Sequence, residues 1–164
     1  MEVVHLEKSH DRSKFKCEED SLTEYIKKQV SQDVKKSLAA CFVVINEDNE
    51  VIGYYTLTSE SLGREAIPSE YQKKVPKNYS APVTLLGRLA RDVSQKGTDI
   101  GERLLLDSLY RSYTISKESI GSMAVVVDPI SQFAIDFYSK YGFILLPDSG
   151  KMFIPMKTIG KLFK

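Results

Sequence analysis

The stretch Leu85-Leu-Gly-Arg-Leu-Ala-Arg-Asp-Val-Ser-Gln-Lys-Gly-Thr-Asp-Ile-Gly-Glu-Arg-Leu-Leu105 decides how the chain is read. Its first residues end a strand over Pro82 to Arg91, with Val83 and Leu85 alternating before Leu86, Leu89 and Ala90. A glycine-bearing turn follows, and a helix runs from about Thr98 to Ile115, with Ile100, Leu104, Leu105 and Leu109 on one stripe. A strand, a turn and a helix start in that order bring unpaired N–H groups and a positive dipole end to one spot, which is an anion site. Gly97 and Gly101 let the backbone approach a phosphate, and Lys96 adds a mobile charge. Three named patterns compete for this stretch. A Walker loop requires Lys after its last glycine, but Glu102 follows Gly101. A dinucleotide fingerprint requires three glycines, and two are present at the wrong spacing. A membrane GxxxG face is excluded by Lys96, Asp99 and Glu102. The plain alternative is an ordinary helix start with Gly97 as a turn residue.

Outward from that stretch, composition removes whole classes. The chain has 164 residues, with 23 Lys+Arg against 22 Asp+Glu, two His and two Cys. That length favours a single domain over residues 1–164 that buries its own core. At 42% hydrophobic and 27% charged it is neither disordered nor a membrane protein. Its longest apolar run, Leu38 to Ile45, falls far short of the roughly 20 residues needed to span a bilayer. No basic, apolar, small-residue series opens the chain, so no signal peptide is read. Cys17 and Cys41 read as thiols of a reducing cytoplasm. A net charge of +1 argues against a whole surface that grips nucleic acid, and leaves room for a local basic patch.

Patterning predicts a strand over Met1 to Lys8 and a helix over Glu18 to Ser31, which Gln32 to Ser37 either continues or follows with a second helix. Leu38 to Ile45 and Val51 to Thr58 read as a hairpin across Asn46 to Glu50. A short helix follows Pro68. Met123 to Val127 reads as a strand buried on both faces, and Phe133 to Tyr141 as a helix ended by Gly142. Two short strands, Phe143 to Leu146 and Met152 to Met156, close the chain. The sum is a mixed α/β sheet with helices on both faces.

The strand, turn and helix resemble the acyl-CoA-binding motif of the GNAT acetyltransferase superfamily, (Arg/Gln)-x-x-Gly-x-(Gly/Ala). Lys96, Asp99 and Gly101 fall on its three specified positions. Gly101 matches outright and Lys96 is a basic variant. Asp99 departs from the pattern: it sets a carboxylate beside the expected pyrophosphate, unless its side chain turns outward as an N-cap. Ala134-Ile-Asp-Phe-Tyr-Ser-Lys-Tyr-Gly-Phe143 is similar to the superfamily's A-x-x-x-Y-x-x-x-G-F element. Phe15-Lys-Cys-Glu-Glu-Asp-Ser-Leu-Thr-Glu-Tyr-Ile26, with Ala40 to Val44 and Gly53 to Leu57, resembles the N-terminal half of the branch that includes toxins acetylating aminoacyl-tRNA. The resemblance covers nearly the whole chain in order, and it implies a GNAT-like, mostly antiparallel central sheet.

The resemblance further implies acetyl-CoA as co-substrate, no metal, and direct transfer to a primary amine. Backbone groups of Leu89, Ala90 and Arg91 would pair with the pantetheine arm. The N–H groups of Lys96, Gly97, Thr98, Asp99, Ile100 and Gly101 would hold the pyrophosphate, and Ser131 stands where the superfamily often has an Asn at the coenzyme. Tyr138 takes the catalytic position beside the thioester sulfur. A phenol of pKa about 10 can donate to a thiolate whose conjugate acid, by analogy with Cys, lies near 8.5. Without the resemblance, Tyr138 reads as a half-buried aromatic of an amphipathic helix.

No general base stands out among Glu60, Asp92 and Asp107, and His5 and His10 read as surface residues. An α-amine of pKa near 8 is about a tenth neutral at pH 7, far more than a lysine ε-amine, so a site without a strong base suits α-amines. Lysines cluster as Lys27/Lys28, Lys35/Lys36, Lys73/Lys74/Lys77 and Lys157/Lys161/Lys164. Because total charge is balanced, the first expectation is a small-molecule or amino-acid α-amine acceptor. The alternatives are a toxin acetylating aminoacyl-tRNA, with tRNA and an antitoxin as partners, and a non-catalytic acyl-CoA sensor. The resemblance also allows a homodimer, and no membrane partner is expected.

Overall fold

Asn46 to Glu50 reverses the chain through its own side chains: the Asn46 carboxamide oxygen accepts from the Asp48 and Glu50 N–H groups, at 3.0 and 2.9 Å. The turn joins β2 (Ala40–Ile45) to β3 (Val51–Gly63), an antiparallel pair in which Cys41 faces Thr56 and Val43 faces Tyr54. In the computed structural model, which describes residues 2–164, the hydrogen-bonded strand order is β1-β2-β3-β4-β5-β7-β6. The remaining strands are β1 (Val4–His5), β4 (Ser80–Arg91), β5 (Ala124–Val127), β6 (Ile144–Leu145) and β7 (Met152–Pro155). β4 and β5 run parallel, while β1–β2, β2–β3, β5–β7 and β6–β7 are antiparallel. This is the mixed, mostly antiparallel sheet expected from the sequence.

The chain divides into two compact units, Met1–Thr58 with Leu86–Ser108, and Ser59–Leu85 with Leu109–Lys164. In the first, the N-terminal helix forms as expected and continues past Ser31. It comprises α1 (Asp20–Glu24), a π-helical turn (Tyr25–Gln29) and α2 (Val30–Lys35), and stops where Ser37 turns to φ 61°. Tyr25, Ile26 and Val30 join Phe15, Cys17, Cys41, Val43 and Tyr54 in one core cluster. α4 (Ile100–Glu118) begins in this unit. Successive strand residues point to opposite faces. Tyr54 meets the α1–α2 segment, and a Cβ on its neighbour Gly53 would stand 2.9 Å from Leu104 and 3.0 Å from Ile100 of α4. Helices therefore cover both faces here.

In the second unit, all four residues of β5 are buried, as its unbroken apolar run predicts. Ala124 and Val126 pack with Leu62, Ile67, Val75, Ala81, Val83 and Phe153. α3 (Ser69–Gln72) starts directly after Pro68, and α5 (Gln132–Ser139) ends before Gly142, whose φ of 102° only glycine adopts readily. α6 (Met156–Leu162) is an element that the sequence reading does not contain. It rests on α4 where Gly160 leaves room: a Cβ there would come within 2.9 Å of the Tyr113 ring.

Several expectations need correction. Strand β1 shrinks to two residues, and Met1 lies outside the described residues. β3 runs five residues beyond Thr58. His10 is buried, not a surface group, because its Nδ1 accepts the Glu7 N–H at 3.0 Å and closes a local turn. Cys17 and Cys41 are both free and buried, and burial pushes the Cys41 thiol up to about 12.

Gly53→Val is expected to destabilise the protein by about 1–3 kcal/mol, because its methyls must displace Leu104 and Ile100 from a packed contact. Urea unfolding measures this, and an unchanged midpoint would contradict the close approach.

Candidate active site

The candidate anion loop lies wholly in the first unit. The parallel ladder pairs Thr84 with Val125 and Leu85 with Val126, and β5 then ends at Val127 while β4 runs on to Arg91. Leu89, Ala90 and Arg91 therefore lie past the end of that ladder. The Asp92 N–H donates to the Ile52 carbonyl at 2.9 Å, and the Asp92 carboxylate accepts from the N–H groups of Lys16 and Ser94, at 2.8 and 2.9 Å. Burial opposes the charge on Asp92, but these hydrogen bonds outweigh it and hold the carboxyl below its usual range. Asp92 is thus a structural clamp. Asp107 is likewise engaged, accepting the Tyr55 hydroxyl at 2.6 Å. Of the three carboxylates considered as bases, Glu60 alone has a buried oxygen, Oε2, without a partner.

A 3₁₀ turn, Val93–Gln95, leads to Gly97, whose φ of 83° requires glycine or its near equivalents. Three of the six expected N–H donors have partners inside the loop: Lys96 donates to Val93, Thr98 to Gln95 and Ile100 to the Thr98 hydroxyl. The first bond within α4 runs from the Arg103 N–H to Asp99, so the N–H groups of Ile100, Gly101 and Glu102 form its open first turn. That of Ile100 reaches the Thr98 hydroxyl at 3.4 Å. The capping oxygen is therefore Thr98's, not Asp99's. Asp99 turns outward and pairs with Arg103 at 3.0 Å, one helical turn on. Its charge is matched, and it does not block the turn. The Arg91 side chain also reaches the loop, with Nη1 3.4 Å from the Gln95 carbonyl and Cδ 4.0 Å from where a Gly101 Cβ would stand. Sequence reasoning used only the Arg91 backbone; its place at the strand end was the available signal for the side chain.

Gly101 is informative. It sits inside a helix, where glycine costs up to about 1 kcal/mol against alanine. Among the described residues, outside its chain neighbours and the backbone of its own helix, nothing comes closer than 4.0 Å to a Cβ placed there. The open space over an unpaired first turn fits close approach by an external group.

The second unit holds the other predicted residues. Ser131 is the N-cap of α5, its hydroxyl oxygen accepting the Ala134 N–H at 3.1 Å and its hydrogen remaining available to donate. Tyr138 follows seven residues later, two turns along the same face. It is the buried residue of α5, packed against Phe137 and Phe143 with ring centroids 5.4 and 5.2 Å away. Its hydroxyl has no hydrogen-bond partner among the described residues, and burial pushes its pKa well above that of an ordinary phenol. Among the described residues no three His, Cys, Asp or Glu side chains cluster as a metal site, and no helix is long and apolar enough to cross a membrane.

A strand that outruns its parallel neighbour, a glycine turn and an open helix start define the GNAT class of N-acetyltransferases. No protein-family model matches the sequence. A tRNA-acetylating toxin of Mycobacterium tuberculosis (strain ATCC 25618 / H37Rv) is 31% identical over 137 residues, which is 84% of this chain and 80% of that protein. A probable toxin TacT of Sinorhizobium fredii (strain NBRC 101917 / NGR234) is 29% identical over 162 residues, 93% of this chain and 89% of that one. Among solved structures, a Tyr→Phe mutant of KacT superposes with a TM-score of 0.92 at 29% identity, covering 99% of this chain and 98% of its own. AtaT complexed with acetyl-methionyl-tRNAfMet gives 0.90 at 27%, covering 99% of both chains, and AtaTR bound with AcCoA gives 0.86 at 26%, covering 99% and 98%. The chain belongs to the GNAT-fold acetyltransferase family of the tRNA-acetylating toxins.

Gly97→Ala is expected to lower the melting temperature, since alanine at positive φ costs about 1–2 kcal/mol. Gly101→Ala is expected to leave it unchanged or raise it, because the methyl meets open space and helix propensity improves. Calorimetry of the free protein separates the two.

Proposed function

We propose that this chain moves an acetyl group from acetyl-CoA to the α-amine of an aminoacyl-tRNA in the cytoplasm, and that a cognate antitoxin restrains it. The observation that carries this reading is the relationship to a tRNA-acetylating toxin over 84% of the chain. A small-molecule amine, the first choice on net charge, gives way to it. Lys27, Lys28, Lys35 and Lys36 are all exposed on or just past the α1–α2 segment, with Lys28 paired to Glu24.

In this reading the site residues divide the coenzyme among them. Backbone groups of Leu89, Ala90 and Arg91 pair with the pantetheine arm as an added strand would. The N–H groups of Gly97, Asp99 and Gly101 are left to meet the pyrophosphate, that of Ile100 being shared with the Thr98 hydroxyl, while Lys96, Arg91 and the helix dipole supply charge. Lys96 and Thr98 shape this loop with their own N–H groups spent. The Ser131 hydroxyl adds a donor. Acetyl-CoA supplies an activated thioester. As the neutral acceptor nitrogen bonds to the acetyl carbon and the carbon–sulfur bond breaks, the Tyr138 hydroxyl donates to the departing sulfur. The proton shed by the nitrogen makes good the one that ends on the sulfur, so that an amide and a free thiol leave. The outward Asp99–Arg103 pair removes the reason for reading the chain as a sensor without turnover.

Transfer of labelled acetyl to aminoacyl-tRNA, with free amino acids in parallel, tests the acceptor; a preference for free amino acids would overturn it. Tyr138→Phe is expected to lower kcat by about 10²–10⁴-fold at saturating substrates, and an undiminished rate removes Tyr138 from the reaction. Gly101→Ala is expected to raise the KM for acetyl-CoA. The wild-type rate is expected to climb from pH 6 as an α-amine of pKa near 8 loses its proton. It should not fall before pH 10, because a phenol with a raised pKa stays protonated throughout. A falling limb between pH 8 and 10 would assign the donor to another group. Activity on tRNA is also expected to drop steeply with salt, since phosphate contacts release counterions; a flat response would contradict RNA binding.

A further inference from the structure

The π-helical turn Tyr25–Gln29 is the irregular element that the transfer scheme leaves unused, and such turns are frequent at functional sites. It holds one aromatic ring with unusual care. The Tyr25 hydroxyl donates to Asp33 at 2.9 Å, Gln29 donates to the other Asp33 oxygen at 3.0 Å, and Arg12 donates to the Ile26 carbonyl at 3.0 Å. Over the face of that ring lies the guanidinium of Arg88, its Cζ 3.6 Å from the centroid.

Arg88 is half-buried and makes no ion pair and no hydrogen bond with any described residue. Asp33 is the carboxylate whose charge it influences, and both Asp33 oxygens already accept from Tyr25 and Gln29. A planar cation is thus fixed by stacking while its donors stay unspent. That is the preorganisation a bidentate oxyanion needs. The nearby charges agree: Arg12 lies across the turn, and Lys27 and Lys28 project from it, Lys28 paired with Glu24 at 2.8 Å. Arg88 also directly precedes Leu89–Arg91, the backbone assigned above to the acetyl donor, and at about 3.8 Å per residue it stands within a few residues of the transferred group. An anion held by Arg88 must therefore lie close to the acceptor amine. For an amino acid esterified to a terminal ribose, that anion is the last phosphodiester of the same strand.

We infer that Arg88, stacked on Tyr25, binds the 3′-terminal phosphodiester of the acceptor RNA and sets the α-amine at the acetyl group. The inference rests on the aminoacyl-RNA reading of the acceptor. Two acceptors of identical amino acid separate the two claims: an aminoacylated CCA trinucleotide, which carries phosphodiesters, and an aminoacyl-adenosine, which carries none. Wild-type protein is expected to favour the trinucleotide in kcat/KM. Arg88→Gln should cut kcat/KM on the trinucleotide at least tenfold more than on aminoacyl-adenosine, mainly through KM, with the KM for acetyl-CoA unmoved. Arg88→Lys, which keeps charge and stem but loses the fork, should show the same selective loss to a smaller degree, and it serves as the readout if the Gln variant melts early. Equal losses on both acceptors would overturn the inference, as would a wild-type enzyme indifferent to the phosphodiester; the second result leaves the acceptor class standing. Acetylation of free amines with neither RNA-like acceptor used would overturn the acceptor reading and the inference together.

Discussion

The nine residues from Asp92 to Ile100 are pinned at both ends to adjacent residues of one strand. At the start, the Asp92 N–H is bonded to the Ile52 carbonyl. At the end, Ile100 and Leu104 press on Gly53, where any Cβ would collide. Strand β3 thus fixes both where β4 lets go and where α4 begins. The intervening turn closes with hydrogen bonds of its own, and Asp92 adds a clamp to Lys16, 76 residues distant in sequence. The open first turn of α4 consequently needs no ligand to form. Apart from that of Ile100, which meets the Thr98 hydroxyl, its N–H groups stay unpaired, and preorganised donors cost little reorganisation when an anion arrives.

Strong periodicity and backbone punctuation made most of this architecture legible. The β2–β3 hairpin, the buried β5, the amphipathic α4 and the Gly142 stop follow from patterns that act over a few residues. What escaped depends on contacts that periodicity does not encode, some distant in sequence and some local. α6 has a weak pattern and forms where Gly160 admits the Tyr113 ring. His10 is buried by a local turn that no periodicity encodes. The π turn continues an ordinary helical pattern, and the extra residue shows in the backbone, where the Val30 N–H reaches the Tyr25 carbonyl five residues back. Within the site, glycine positions marked the loop, but which N–H groups it consumes internally was not legible. Nor were the side-chain directions of Arg88 and Arg91, since neighbouring positions on a strand that outruns its partner give no rule for either.

Charge shows the same gap between a sum and a placement. A balance of 23 against 22 treats every lysine alike and ranked RNA second. The proposed acceptor reading depends on placement, not on the sum. Four lysines lie on or just past one helical segment, and Asp99, the acid that most threatened the anion loop, is turned outward against Arg103. Each exposed pair contributes little to stability, so the value of the Asp99–Arg103 pair lies in where it keeps a negative charge from pointing.

Tyr138 raises the reverse question, because burial makes it a poorer acid than a free phenol. Against a thiolate in water, that would widen the gap in proton affinity and slow transfer. In the proposed transfer, however, the thiolate would form beside Tyr138 and so beside the apolar rings packed on it, Phe137 and Phe143. Desolvation raises both pKa values, since each conjugate base is an anion losing water. The difference between them changes far less than either value alone. What burial does add is strength: a hydrogen bond from an uncommitted hydroxyl to a developing anion is worth more where water is excluded. An unpartnered, buried phenol is therefore suited to stabilising charge that appears only as the carbon–sulfur bond breaks, and it is held neutral until then by the same apolar packing.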